Sequence, residues 1–309
     1  MSAAIDDAGT PRPPRRITPL DPPHYAAGKH FFPLTEASLI ALVQAALDED
    51  CAFNDVTTIA TVLSTRHARA RLVARARGVI AGVPLALASF RLLDPGVEIR
   101  VDAEDGTRVG RGDTVLFLSG HARGILAAER TALNFLQHLS GIATLTRSYV
   151  DAVHGTAAAI LDTRKTTPGW RRLQKYAVRC GGGSNHRLDL ASAVLIKDNH
   201  LVAVDGDVAV AVRRAREHAP LLPVQVECDS VGQVRAAIEA GAESVLLDNM
   251  SLDLMRECVA ITRGCCIAEA SGGVRMDTVR AIAETGVDRI SVGALTHSAP
   301  ALDLALDFE

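Results

Sequence analysis

The chain has no excess of positive charge: 33 lysines and arginines stand against 36 acidic residues, for a net charge of -3 over 309 residues. A general nucleic-acid binder is usually basic over a face or a whole domain, so that class is set aside. No apolar run approaches the roughly 18 residues that a membrane-spanning helix needs. The first ten residues carry Asp6 and Asp7 and lack the basic-then-apolar order of a signal peptide, so a cytoplasmic location is the expectation. No CxxC occurs among the cysteines at 51, 180, 228, 258, 265 and 266. A zinc site with paired ligands is therefore disfavoured, and free thiols in a reducing compartment are expected. No G-x-G-x-x-G follows the first strand of the C-terminal half, which argues against a dinucleotide-binding oxidoreductase.

Hydrophobic residues make up 48% and charged ones 22%, ordinary for a soluble globular protein long enough for one large core or two. Prolines at 11, 13, 14, 19, 22 and 23 crowd residues 1–30, which read as a disordered, proline-rich tail. Thr35 is placed to cap a helix reaching about Asp48, with Leu39, Val43 and Leu47 on its apolar stripe. From His67 to Arg77 apolar residues alternate with arginines, the period of a half-exposed strand, and Arg69, Arg71, Arg75 and Arg77 read as its solvated face. A helix at 84–93 and strands at 97–103 and 114–118 complete an α+β layer domain. A long helical stretch at 124–153 is expected to break near Ser140-Gly141.

The pattern then changes to short apolar runs alternating with helical segments: 158–161, 193–196, 224–226, 244–247, 266–268 and 289–292. Repeated β-α-β with continuously apolar strands implies a parallel sheet covered by helices. A closed (β/α) barrel is the leading reading and a doubly wound open sheet the second. In a barrel every strand delivers its carboxyl end to one rim, where catalysis sits. The residues that follow these strands are Asp162, Arg164 and Lys165; Lys197, Asp198 and Asn199; Glu227 and Asp229; Asp248 and Asn249; Glu269, Ser271, Gly272 and Gly273; and Gly293. Any one of them alone is more often a plain loop residue; six strands ending in charge or glycine are harder to dismiss.

Arg164, Lys165, His186, Arg187 and Lys197 gather positive charge in a slightly acidic protein, which implies a ligand with several carboxylates or phosphates. Ser271-Gly272-Gly273 before an expected helix at 275–285 suggests a phosphate seat at a helix N-terminus, with Gly293 admitting the same phosphate to a close backbone approach. Glu227 and Asp248 suit a hydroxyl-bearing centre between these regions. A phosphorylated sugar bearing pyrophosphate, beside a second anionic reactant, fits that order.

These motifs, together with Glu129-Arg130-Thr131-Ala132-Leu133-Asn134, Asp162–Arg171, Gly181–Arg187 and Ile196–His200, resemble the quinolinate phosphoribosyltransferase family from about Thr35 to the C-terminus. The resemblance implies a type II phosphoribosyltransferase fold. An N-terminal α/β sandwich at 31–138, joined by the C-terminal segment 298–309, packs beside an incomplete (β/α) barrel at 139–297. It further implies a homodimer or dimer-built hexamer in which Arg130 completes the neighbour's site. Arg164, His186 and Arg187 are implied to contact the carboxylates of quinolinate, and Lys165 and Lys197 the pyrophosphate side of phosphoribosyl pyrophosphate (PRPP). Glu227 and Asp248 are implied at the ribose hydroxyls and Mg²⁺; Ser271, Gly272, Gly273, Gly293 and His297 surround the 5′-phosphate. Trp170 departs from the smaller apolar residue expected there and reads as packing. Asp198 and Asn199 read as supports, and His138 and His154 carry no motif. Two other functions compete: a paralogous transferase acting on nicotinate or another azole or pyridine acid, and a non-catalytic binding protein on the same scaffold.

Overall fold

Thr35 opens the first helix as its hydroxyl allows: Oγ1 accepts from the Ser38 N–H at 3.3 Å, and α1 runs Glu36–Glu49 with Val43 and Leu47 buried. The computed structural model of the chain describes residues 31–309; the expected tail at 1–30 lies outside them. Asp55 caps α2 (Val56–Thr61) in the same manner, accepting from the Thr58 N–H at 3.0 Å. Then come β1 (His67–Ala74), β2 (Gly78–Val79), α3 (Val83–Leu93), β3 (Glu98–Val101), β4 (Arg108–Val109) and β5 (Thr114–His121).

Helix α4 follows as one continuous element, Ala122–Ala152, so the break expected near Ser140-Gly141 is corrected. Both residues answer to neighbouring backbone instead. Ser140 Oγ accepts from the Ala81 N–H at 2.9 Å. A Cβ on Gly141 would stand 2.1 Å from the Pro300 carbonyl oxygen. Glycine inside a helix costs about 1 kcal/mol relative to alanine, a penalty too small to interrupt so long an element.

The remaining elements are β6 (Ala159–Leu161), α5 (Arg171–Cys180), β7 (Val194–Ile196), α6 (Asp198–Val202), α7 (Val208–His218), β8 (Val224–Cys228), α8 (Val231–Glu239), β9 (Ser244–Asp248), α9 (Leu252–Thr262), β10 (Ile267–Ser271), α10 (Val279–Ala283), β11 (Arg289–Ser291), α11 (Ala294–His297) and β12 (Leu304–Phe308). The described chain falls into two compact units, one of residues 31–151, 162–185 and 293–309, the other of 152–161 and 186–292. The boundary expected at 138–139 lies inside α4.

The first unit is built on an antiparallel sheet of order β12-β1-β5-β3, with β2 and β4 forming a separate pair. The C-terminal strand β12 pairs antiparallel with β1 in this sheet. Leu72, Leu116 and Leu118 face Phe90 of α3 and Ile125, Leu133 and Leu136 of α4 in its core. Arg69, Arg71, Arg75 and Arg77 are exposed, as their alternation implied. Arg71 pairs with Glu309 at 2.8 Å and Arg75 with Asp307 at 2.5 Å, exposed contacts worth roughly 0–1 kcal/mol each.

The second unit is built on a six-stranded parallel sheet of order β6-β11-β10-β9-β8-β7. This is the cyclic order of a barrel with one pairing, β6 to β7, missing. It corrects the closed barrel and excludes the doubly wound sheet, whose strand order reverses at a switch point. The incomplete barrel is the form the family resemblance implied.

The strands are not continuously apolar. Side chains in a strand alternate, and residues in register on neighbouring strands share a face. The pairings Leu195↔Gln225, Glu227↔Leu246↔Glu269 and Asp248↔Ser271 place Gln225, Glu227, Asp248, Glu269 and Ser271 on one face. Val224, Val226, Val245, Leu247, Ala268, Ala270 and Ile290 occupy the other face, each with no solvent exposure, and α7, α8 and α9 pack on the strands. The runs looked apolar because the outward residues are uniformly so.

Candidate active site

Parallel strands bring their carboxyl ends to one edge, and the inner face carries the polar residues there. Lys197 follows β7 directly; its Nζ stands 3.4 Å from Glu227 Oε2, the lysine half exposed and the glutamate mostly buried. Asp248 ends β9. Its Oδ2 accepts from Asn249 Nδ2 at 2.7 Å, and the Asn249 N–H reaches across to the Ser271 carbonyl at 3.0 Å. Asn249 sits in the left-handed region, φ 53°, which asparagine tolerates better than most residues.

Gly272 and Gly273 have φ of 89° and 57°, and a Cβ on Gly272 would stand 2.2 Å from Asn249 Oδ1. Lys197, Glu227, Asp248 and the Ser271-Gly272-Gly273 loop are thus brought together as expected on one edge of the sheet. One detail is corrected. The helix after the glycines, α10, begins only at Val279, past a turn in which the Arg275 N–H donates to Thr278 Oγ1 at 3.0 Å. The glycine loop, not a helix terminus, offers its N–H groups there.

One layer deeper lies a group the sequence reading misplaced. Glu269 was expected on the rim; it is inside β10 with no solvent exposure. Gln225 Nε2 donates to it at 2.9 Å and the Ser291 hydroxyl donates to it as well. His186 Nε2 is 3.4 Å from Glu269 Oε1 and 3.0 Å from Gln225 Oε1. Burial alone would raise the Glu269 pKa. The hydrogen bonds of His186, Ser291 and Gln225 outweigh it and hold the carboxyl below its ordinary range. Gln225 and Ser291 went unnoticed in the sequence. The signal was available, since Gln225 and Glu227 are two apart on a strand and so share a face.

In the other unit, Asp162 is fully buried after β6 and pairs with Lys175 of α5, itself 3% exposed. Asn185 Nδ2 donates both to Asp162 Oδ2 at 2.6 Å and to the Lys175 carbonyl at 2.8 Å. Burial pushes the Lys175 pKa down, Asp162 opposes this, and Arg171 and Arg164 add to the depression. Arg164 is part-buried, and its Nε meets no hydrogen-bond acceptor among the described residues. A guanidinium in that state is a ready partner for an added anion.

Lys165 is exposed, and its carbonyl accepts from Thr296 Oγ1 at 2.8 Å. A Cβ on Gly293 would stand 3.2 Å from Lys165 Cδ and 3.3 Å from His297 Nε2, so glycine there makes room for those two side chains. His297 is exposed, its Nδ1 2.6 Å from Ser298 Oγ. Arg130 is exposed on α4. Trp170 does pack: it stacks on Phe135 at 5.4 Å and meets the His138 ring edge-on at 5.4 Å. No three His, Cys, Asp or Glu side chains among the described residues cluster to hold a metal ion. No helix among them is long and apolar enough to cross a membrane.

Residues 55–140 match the profile of the quinolinate phosphoribosyl transferase N-terminal domain, and residues 142–307 match that of its C-terminal domain. The chain belongs to the quinolinate phosphoribosyltransferase family. It is 46% identical over 274 residues to the nicotinate-nucleotide pyrophosphorylase (carboxylating) of Mycobacterium leprae, covering 86% of this chain and 95% of that one. A probable enzyme of the same name from Bacillus subtilis is 40% identical over 260 residues, covering 84% and 89%. The crystal structure of NadC from Streptococcus pyogenes superposes with a TM-score of 0.85 at 40% identity, covering 89% of this chain and 99% of that one.

Proposed function

We propose that this chain transfers the phosphoribosyl group of PRPP to quinolinate and releases the 2-carboxylate. The products are nicotinate mononucleotide, pyrophosphate and carbon dioxide, a step of de novo NAD biosynthesis. The observation that carries the chemistry is the inner-face rim of the parallel sheet, where Lys197 stands 3.4 Å from Glu227 and Asp248 lies on the next strand. Cation and carboxylates side by side suit a transition state in which opposite charges separate.

As the pyridine nitrogen attacks the anomeric carbon, positive charge grows on the ribose ring and negative charge on the departing pyrophosphate. Glu227 and Asp248 stabilise the first; Lys197 and Lys165 stabilise the second. A unit charge roughly 4 Å away contributes about 4 kcal/mol at an effective dielectric of 20, so each group matters. Arg164 and Arg187 bind the carboxylates of quinolinate through planar forks. Ser271, Gly272 and Gly273 hold the 5′-phosphate with backbone N–H groups.

Once ribosylated, the ring is a pyridinium. The electrons of the breaking C–CO2 bond stay on the ring carbon, stabilised by the adjacent positive nitrogen, and that carbon then takes a proton from solvent, so no dedicated base is required. Glu227 and Asp248 supply hard oxygen donors, too few for a protein cage but suited to Mg²⁺ that keeps its waters and the pyrophosphate oxygens. Bound there, the ion would neutralise leaving-group charge.

We place the enzyme in the cytoplasm, where its small anionic substrates are dissolved. We assign Arg130, exposed on α4, to the neighbour's site in a homodimer or dimer-built hexamer. Mixing Arg130→Ala with Lys197→Ala protein then restores activity that neither has alone; no recovery on mixing refutes the assignment. The reading as a whole is tested by a turnover assay with quinolinate, PRPP and Mg²⁺. Nicotinate mononucleotide and carbon dioxide form together; turnover of nicotinate without carbon dioxide would instead make it a nicotinate transferase.

A further inference from the structure

Both ring nitrogens of His186 are engaged by the chain itself. The Arg187 backbone N–H points at Nδ1 from 2.7 Å. A backbone N–H can only donate, so Nδ1 must present its lone pair and the ring proton sits on Nε2. That proton faces Gln225 Oε1 at 3.0 Å and Glu269 Oε1 at 3.4 Å. Gln225 Nε2 in turn donates to Glu269 Oε2, which fixes the orientation of the carboxamide, and Ser291 donates to Glu269 Oε1. The one ring N–H is therefore turned toward Gln225 and Glu269, and Nδ1 carries no hydrogen with which to meet a substrate carboxylate. Arg187 is meanwhile held at its far end, where Nη1 donates to the Ala193 carbonyl at 2.9 Å.

We infer that His186 is a positioning residue for Arg187 rather than a ligand of the substrate, and that Gln225 and Glu269 hold it to that duty. The buried carboxylate anchors the imidazole, the imidazole accepts from the Arg187 backbone, and the guanidinium is thereby presented in one place. This replaces the direct contact with quinolinate that the family resemblance implied for His186, and it rests on quinolinate being the acid that Arg187 binds. Positioning groups behind a ligand-binding side chain affect affinity by fixing orientation, much as outer-shell partners do at metal sites.

Two substitutions separate the alternatives, because asparagine puts an acceptor where His Nδ1 was and glutamine puts a donor where Nε2 was. Quinolinate and PRPP binding are titrated separately for the wild type, His186→Asn and His186→Gln, with thermal melts run in parallel. A positioning role predicts that His186→Asn keeps quinolinate affinity within about threefold while His186→Gln loses roughly tenfold or more. PRPP affinity stays near wild type in both. The reverse order, or equal losses, overturns the inference. Should the His186 variants fail to fold, Glu269→Gln serves. It sets an NH2 group against the donor of either Gln225 or Ser291, and is expected to weaken quinolinate roughly tenfold with PRPP binding unmoved. Unchanged quinolinate binding in that variant also overturns it. Wild-type protein that does not bind quinolinate at all would instead sink the functional reading, so the two failures are distinguishable.

Discussion

Alanine substitutions one residue apart test how the loop after β10 serves Asp248. Gly272 and Gly273 both have positive φ, 89° and 57°. Placing a Cβ on left-handed backbone costs about 1–2 kcal/mol. For Gly273→Ala that is the whole structural cost, because nothing stands within 4 Å of the new atom. For Gly272→Ala the Cβ would lie 2.2 Å from Asn249 Oδ1, 2.5 Å from Cγ and 2.9 Å from Nδ2. The obstacle is the end of a side chain, so Asn249 swings away and the backbone survives. What is lost is the 2.7 Å bond from Asn249 Nδ2 to Asp248. A hydrogen bond to a charged group contributes about 1.5–3 kcal/mol, less for one this exposed.

Gly272→Ala should therefore unfold at a lower urea midpoint than Gly273→Ala, by about 1 kcal/mol. Its turnover should also fall further, since Asp248 is released from its orientation. Adding Asn249→Gly to Gly272→Ala removes the clash while keeping a backbone fit for positive φ. The double variant regains stability but not turnover, because the bond to Asp248 stays absent. Equal stability and equal turnover in the two single variants would show that Asn249 does not couple the glycine loop to the carboxylate.

Three further outcomes follow from the same geometry. Lys197→Ala is expected to lower turnover roughly 10²-fold or more with modest change in Michaelis constants, since leaving-group charge appears in the transition state; unchanged turnover with a raised constant would count against that role. Gly141→Ala gains about 1 kcal/mol in helix propensity but meets the Pro300 carbonyl 2.1 Å away, and overpacking against backbone costs about 1–3 kcal/mol or more. The urea midpoint should fall; a rise would mean the C-terminal segment yields freely. Burial holds the His138 pKa below the ordinary histidine value, so the unfolded chain binds the extra proton first. Its contribution to stability is complete above about pH 6.5 and declines as pH falls through the window below, which His138→Gln should flatten; parallel profiles for the two proteins would refute it.

Much of the parallel unit could be read from residues alone, for a definite reason. Its strands are short and their outward residues are valine, leucine, isoleucine or alanine, with Cys228 the exception on β8, so each run stood out and its polar terminus was easy to find. Lys197, Glu227, Asp248 and Gly273 were placed correctly because parallel strands all end on one edge. The misreadings have a common cause, which is non-local contact. Gly141 looked like a break because nothing near it in sequence announces Pro300. Glu227 and Glu269 look alike as glutamates at strand ends. One stands beside Lys197 at the rim and the other is sealed by partners drawn from β8, β11 and the loop carrying His186. The β6–β7 gap was equally invisible to strand counting, since closure depends on which edges meet, and only the family resemblance supplied it.

The sealed glutamate constrains what the inner face is for. A carboxylate with no solvent exposure is an expensive choice, and apolar residues of similar volume often leave a protein equally or more stable. The sheet had that option, for Leu195 and Leu246 share the inner face with Gln225 and Glu269. Packing therefore does not demand polarity at 225, 269 and 291. A buried network is tolerable only when every member is satisfied, and this one is. Its one branch leading off the sheet is His186, whose other nitrogen receives the Arg187 backbone. A polar interior that ends on the backbone of the part-buried Arg187 stabilises the placing of that residue, not the sheet. On this reasoning the inner layer of the incomplete barrel and Arg187, which we propose binds the acid, form one device, with stability given up below so that orientation is fixed above.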